Sequence, residues 1–134
     1  MTADDVAKDI VDAAIKVHRA LGPGLLESAY QACLVHELRR RQRRVECEVA
    51  LPRQFEGVMT EVGYRIDMRV DQSVLVENKT VEKILPIHLA QLLTYLKLSG
   101  LSLGLISNWN VILLRDGIQR VVKNHPEEPT RGPK

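Results

Sequence analysis

The chain has 134 residues, 45% of them apolar and only five aromatic, with 19 Lys and Arg against 17 Asp and Glu. This length suits one core, and a formal charge of +2 excludes a global cationic field, so any polyanion must be held by a local patch. Cys33 and Cys47 are too few for a disulfide framework and match no zinc spacing, and no run of 18 apolar residues is present; the expectation is a reduced, cytoplasmic protein with no signal peptide or membrane span.

From Asp4 to Leu21 the residues Val6, Ile10, Val11, Ala14, Ile15 and Val17 recur at helical spacing, with Thr2 as N-cap. Gly22-Pro23-Gly24 breaks this helix, and a second periodic stretch runs from Leu25 to about Arg41. It ends in a run of five arginines in six positions: Arg39, Arg40, Arg41, Arg43 and Arg44. The period then changes to two: Val45, Cys47, Val49 and Leu51 alternate with Glu46, Glu48 and Ala50, which predicts a half-buried strand closed by Pro52. A turn is expected near Phe55-Glu56-Gly57, then two strands, Glu61 to Val70 and Val74 to Thr80, around Asp71-Gln72-Ser73.

Pro86 to Leu98 predicts a third helix, stopped by Ser99-Gly100. Strands are expected at Leu103 to Ser107 and Val111 to Arg115, with Ile118 to Val122 extending the edge. Trp109 falls in an expected exposed turn. The residues from 1 to 122 form one domain, and the proline-rich segment 123–134 has no apolar period and is expected to be disordered. The order of elements indicates a mixed α/β (α+β) class, one sheet covered by helices.

A turn centred on Gln72 places Val70 opposite Val74 and Asp67 opposite Glu77. Facing Cβ atoms lie about 4.5–5.5 Å apart, where two carboxylates repel by roughly 3–4 kcal/mol at an effective dielectric near 20, so a cation or a shared proton is needed. Lys79 shares the face of Glu77. The three residues make either two oxygen ligands for a hard divalent ion beside an ammonium or a solvated polar face with a cross-strand ion pair.

The array Asp67, nine residues, then Glu77-Asn78-Lys79 resembles the D-(x)n-ExK core of the PD-(D/E)XK nuclease superfamily, and Gly24-Leu25-Leu26-Glu27-Ser28-Ala29-Tyr30 matches the signature of its GxxExxY family. Tyr64-Arg65-Ile66-Asp67, Pro86-Ile87-His88 and the stretch Ala90 to Leu98 agree, so the resemblance covers roughly residues 6 to 122. It implies a restriction-endonuclease-like core: a central mixed sheet of four to five strands flanked by helices. It also implies a Mg²⁺- or Mn²⁺-dependent phosphodiesterase acting on DNA or RNA, with Asp67, Glu77 and Glu27 as metal ligands and Lys79 beside the attacking water. Gln91 and Tyr95 stand as QxxxY, as in an exonuclease branch of the superfamily; their spacing puts both on one helix face, toward phosphate or the lysine. Asn78 departs from the apolar residue expected there, which weakens burial of the opposite sheet face.

Each assignment has a plainer counterpart. Glu27 can serve only as dipole compensation in a first helical turn, His88 as a helix-start cap, and Tyr30 as a core ring instead of a partner for Glu27. His18 and His36 have no partners at ligand spacing. The arginine run is either a phosphate-binding cluster or a solvated helix end close to Glu37, Glu46 and Glu48. The alternative to a nuclease is a catalytically inactive module of the same fold, acting in nucleic-acid binding or protein assembly; a toxin-like nuclease controlled by another protein is a third possibility. A homodimer or an unidentified protein partner would supply specificity to so short a chain.

Overall fold

The computed structural model describes residues 1–51, 53–60 and 65–126, with the backbone alone at 53–55 and 59–60. Helices α1 (Ala3–Leu21) and α2 (Glu27–Arg40) lead into β1 (Val45–Ala50) and a separate hairpin of β2 (Arg53–Phe55) and β3 (Val58–Thr60). Then come β4 (Arg65–Val70), β5 (Val74–Lys79), α3 (Pro86–Ser99), β6 (Leu103–Asn108), a 3-10 turn at Leu114–Asp116 and β7 (Ile118–Val122). The sheet order is β1-β4-β5-β6-β7, with β5 and β6 parallel and every other neighbouring pair antiparallel. This is the mixed five-stranded sheet flanked by helices that the sequence pattern and the resemblance both lead one to expect.

The helices form where their apolar stripes find a face of the sheet. At the start of α1, Thr2 Oγ1 accepts the Asp5 N–H at 3.2 Å while the Asp5 carboxylate accepts the Thr2 N–H at 3.1 Å, so two otherwise orphaned donors are satisfied. Val6, Ile10, Ala14 and Val17 of α1 and Leu34 and Leu38 of α2 pack on Val74, Val76, Met68 and Leu105. On the other face Leu92, Tyr95 and Leu96 of α3 cover Ile66, Leu75, Ile106 and Val121. A Cβ on Gly104 of β6 would lie 2.9 Å from Leu92 Cδ2, so glycine is what lets α3 approach the sheet this closely. Among the described residues no helix is long and apolar enough to cross a membrane.

The arginine run acts as a clasp between elements. Arg41 bonds Asp9, Asp12 and Glu37, Arg43 bonds Asp9 and Asp71, Arg40 bonds Glu37, and Arg39 donates to the Val45 carbonyl. Hydrogen bonds from Arg40 and then Arg41 hold the Glu37 carboxyl well below the usual carboxylate range. The clasp ties α1, the end of α2 and the β4–β5 turn together.

Several local expectations are corrected. Val111 to Arg115 is no strand: Ile112 and Leu113 are exposed, Leu114 is buried, and the chain turns back through the 3-10 segment into β7, which pairs antiparallel with β6. The turn is closed by the Asn108 N–H donating to the Gly117 carbonyl at 2.8 Å, an approach so close that a Cβ on Gly117 would meet the Asn108 oxygen at 2.3 Å. Trp109 is not exposed but fully buried, stacked on Tyr30 with ring centroids 4.8 Å apart. Cys47, expected to face inward, is exposed, because β1 is an edge strand whose outer part borders an open cleft. The hairpin β2–β3 stands where the sequence indicates only a turn, because three-residue strands are too short to show a period. The predicted strand residues 61–64, with Tyr64 of the motif block, and Pro52 lie outside the described residues, as do 127–134 of the proline-rich end. Before that point His125 is held between Ser102 Oγ at 2.6 Å and the Asp4 carboxylate at 3.1 Å, and Asp4 also pairs with Arg120.

Candidate active site

The β4–β5 turn has the expected centre: Asp71 and Gln72 take positive φ, and the strands pair Val70 with Val74 and Met68 with Val76. The next step of this register brings Asp67 to Glu77. There the carboxylates take over from the backbone ladder. Glu77 Oε1 accepts the Asp67 N–H at 2.9 Å, and Asp67 Oδ2 accepts the Asn78 N–H at 2.8 Å. Each acid therefore satisfies an amide of the facing strand and keeps its second oxygen for something else. Glu77 Oε2 lies 3.9 Å from Lys79 Nζ, on the same face as expected.

Burial sets the electrostatics of the pair. Desolvation, followed by the Asp67 charge, pushes the Glu77 carboxyl up to about 7 despite the Asp67 N–H and Lys79. Asp67 is pushed up to about 6, again by desolvation first, with the charges of Glu27 and Glu48 adding to it and the Asn78 N–H and Lys79 opposing. Near neutral pH the pair thus carries a share of a proton in place of a cation.

Glu27 opens α2 immediately after the Gly22–Leu26 turn, which Tyr30 fixes: its hydroxyl donates to the Gly22 carbonyl and accepts the Leu25 N–H at 3.1 Å while its ring is buried. The core alternative for Tyr30 is the one observed. Glu27 is exposed and borders, with Ser28, Gln31, Cys47, Glu48 and Asp67, a cleft of about 450 Å³.

Two residues in this group were not singled out from sequence. Gln31, one helical turn after Glu27, donates to Glu48 Oε1 at 3.1 Å and accepts from Asn78 Nδ2 at 3.1 Å. Its position at i+4 from Glu27 was a readable signal. Glu48 comes to Asp67 because β1 pairs with β4, Cys47 facing Met68 and Val49 facing Ile66, a long-range register that no local pattern encodes. Glu48 itself has φ 51°, outside strand geometry, so the residue facing Asp67 is turned out of the pleat.

Asn78 does not weaken the opposite face. It is fully buried, accepts the Trp109 indole N–H at 3.0 Å and donates to Gln31, so its polar atoms are satisfied. The Trp109 N–H donates to the Lys79 carbonyl at 2.9 Å, and the Trp109 carbonyl meets His18 Nε2 at 3.1 Å. His18, without a sequence-assigned role, is a buried support for this segment. His88 is the predicted cap, accepting the Leu85 N–H at Nδ1 at 2.9 Å.

Gln91 is exposed on α3, and Tyr95, one turn on, is buried against the sheet under that helix. Arg39 to Arg44 lie at the other end of α2 from Glu27, about 20 Å away at 1.5 Å per residue.

A family model described as the PD-(D/E)XK nuclease superfamily matches residues 4–121. The chain belongs to the PD-(D/E)XK nuclease superfamily. No curated protein and no solved structure matches it. Nucleases of this superfamily generally use divalent metal ions, and the donor chemistry of this PD-(D/E)XK domain fits such an ion: oxygen ligands only, two of them on partly desolvated carboxylates raised above their usual range. Among the described residues no three acidic, histidine or cysteine side chains are gathered closely enough to hold an ion. What stands ready is the Asp67–Glu77 pair, with Glu27 and Glu48 at its border.

Proposed function

We propose that the chain is a metal-dependent nuclease of the GxxExxY family, hydrolysing phosphodiester bonds of DNA or RNA in the cytoplasm. The observation that carries this reading is the pair of half-buried Asp67 and buried Glu77, each acid bonded to the facing strand's amide, with Lys79 Nζ 3.9 Å from Glu77. Asp67 and Glu77, with Glu27, would hold Mg²⁺ or Mn²⁺. The bound ion supplies Lewis acidity and an activated water.

The remaining steps belong to the protein's own groups. Desolvation raises both the Asp67 and the Glu77 carboxyls, so a cation held between them would favour their ionised forms. Lys79, three-quarters buried beside Glu77, orients the nucleophile and offsets negative charge developing on the phosphoryl oxygens. Gln91 is the member of the QxxxY pair open to substrate, and Tyr95 anchors α3 from the core. The Trp109–Asn78–Gln31 bonds hold the Glu77–Lys79 strand against α2, which fixes Lys79 relative to Glu27.

A cleavage assay on circular and linear substrates with Mg²⁺, Mn²⁺ or chelator tests this. Wild type is expected to cut only with metal, and Lys79→Ala to lose at least about 100-fold in rate, the scale of removing one charge-stabilising donor. Equal cleavage by both proteins would refute it. The second reading, an inactive nuclease-fold module for nucleic-acid binding or protein assembly, is favoured by the lack of a gathered three-ligand group among the described residues. Absence of Mn²⁺ binding by calorimetry would select it.

A further inference from the structure

Four of the five arginines that stand out in the sequence have side chains bonded within the fold, whereas two isolated ones do not. Arg40, Arg41 and Arg43 are paired with Asp9, Asp12, Glu37 and Asp71. Arg19, at the end of α1, and Arg115, before β7, are exposed and form no ion pair or hydrogen bond among the described residues. Both border a groove of about 430 Å³ whose walls include Ile112, Leu113 and Gly22. Ile112 is 83% and Leu113 51% exposed, so the groove joins two unpaired cations to an uncovered aliphatic surface.

The groove lies at the same pole of the sheet as the carboxylates. β5 and β6 are parallel with Lys79 beside Asn108, and the chain leaving β6 at that end runs through Trp109, whose N–H is bonded to the Lys79 carbonyl, to Ile112. Three residues of extended chain reach at most about 11 Å. On the other side Gly22 begins the turn that delivers Glu27.

Resting on the nuclease reading, we infer that this groove binds the polynucleotide strand next to the scissile phosphate, and that the strand is single. Arg19 and Arg115 take backbone phosphate, and Ile112 and Leu113 take the face of an unpaired base. Single strands are generally held by a positively charged groove along the backbone beside platforms, most often aromatic, that take the base faces; here the platform is aliphatic. A duplex keeps its base faces stacked inside and would leave Ile112 and Leu113 in water. Among the described residues the large aromatics Trp109 and Tyr30 are buried and not available as platforms, so the base contact is aliphatic and largely indifferent to sequence.

The test is fluorescence anisotropy with a labelled oligothymidylate and a hairpin duplex of equal length, in chelator, across about 50–200 mM salt. Wild type should prefer the single strand. Arg19→Ala/Arg115→Ala should flatten the dependence of log K on log salt by about 1.4, or about 0.7 for each lost contact to a single strand. Ile112→Ser should weaken single-strand binding with the slope unchanged, and thermal melts should show all variants folded, since the substituted groups are exposed. The inference is overturned if the double variant keeps the wild-type slope, if Arg40→Ala/Arg44→Ala takes the larger share of it, if the duplex binds as tightly, or if wild type binds neither probe. Loss of the slope together with absent cleavage would leave the groove standing and remove the catalytic reading; an intact slope with metal-dependent cleavage would do the reverse.

Discussion

Glu77→Gln is the most informative single change. Burial raises the Glu77 carboxyl from 4.5 to about 7, and at about 1.36 kcal/mol per unit the ionised form is disfavoured in the fold by about 3 kcal/mol. Because the folded value lies above the unfolded one, this acid's stabilisation is fully present below about pH 4.5 and is lost as pH rises through about 7. Glutamine keeps the shape and can still accept the Asp67 N–H, but it carries no charge to desolvate. In chelator, chemical unfolding should therefore find Glu77→Gln more stable than wild type at pH 8.5, by up to about 3 kcal/mol, and nearly equal at pH 4.5. Mn²⁺ at about 100 times its Kd should restore about 2.7 kcal/mol to wild type and little to the variant. A wild-type stability flat between these pH values, or a variant less stable at pH 8.5, would refute the account of the pair as an unneutralised carboxylate site.

Two further changes test the framework behind the site. Gly117→Ala drives a Cβ to 2.3 Å from the Asn108 carbonyl, so the 109–117 turn must move; a loss of about 1–3 kcal/mol in urea unfolding is expected, and a neutral result would contradict the described closure. Trp109→Phe keeps a ring on Tyr30 but leaves Asn78 Oδ1 without its donor. A cost of about 1–3 kcal/mol should appear in denaturation, and Asn78→Leu in the same background should recover part of it, which a purely steric effect of the phenylalanine would not allow.

The helices, the β4–β5 register and the Asp67, Glu77, Lys79 cluster were legible because each rests on short-range rules: apolar spacing, a cap, and a three-residue turn that fixes pairing for the residues behind it. Contacts between distant segments were not. Nothing local indicates that β1 pairs with β4, so Glu48 could not be placed beside Asp67. Asn78 looked like a misplaced polar residue because its partners, Gln31 and Trp109, lie 47 and 31 residues away. The arginine run looked like an open patch because Asp9 and Asp71, which neutralise Arg43, lie 34 and 28 residues from it. Val111 to Leu114 has the composition of a strand, yet the bond between Asn108 and Gly117 forces a turn that hydropathy alone does not encode.

The bonds of His125 to Ser102 and Asp4 bear on how the molecule can be handled. Ser102 precedes β6, and Lys79 adjoins the far end of that strand at Asn108, which at about 3.3 Å per residue puts roughly 17–20 Å between the two poles. Residues 4 and 125 therefore lie side by side, away from the carboxylates. A tether attached at either place would hold the protein on a sensor surface with its acidic pole turned to solution, and a short linker joining the two places would allow new ends to be opened elsewhere without crossing the site.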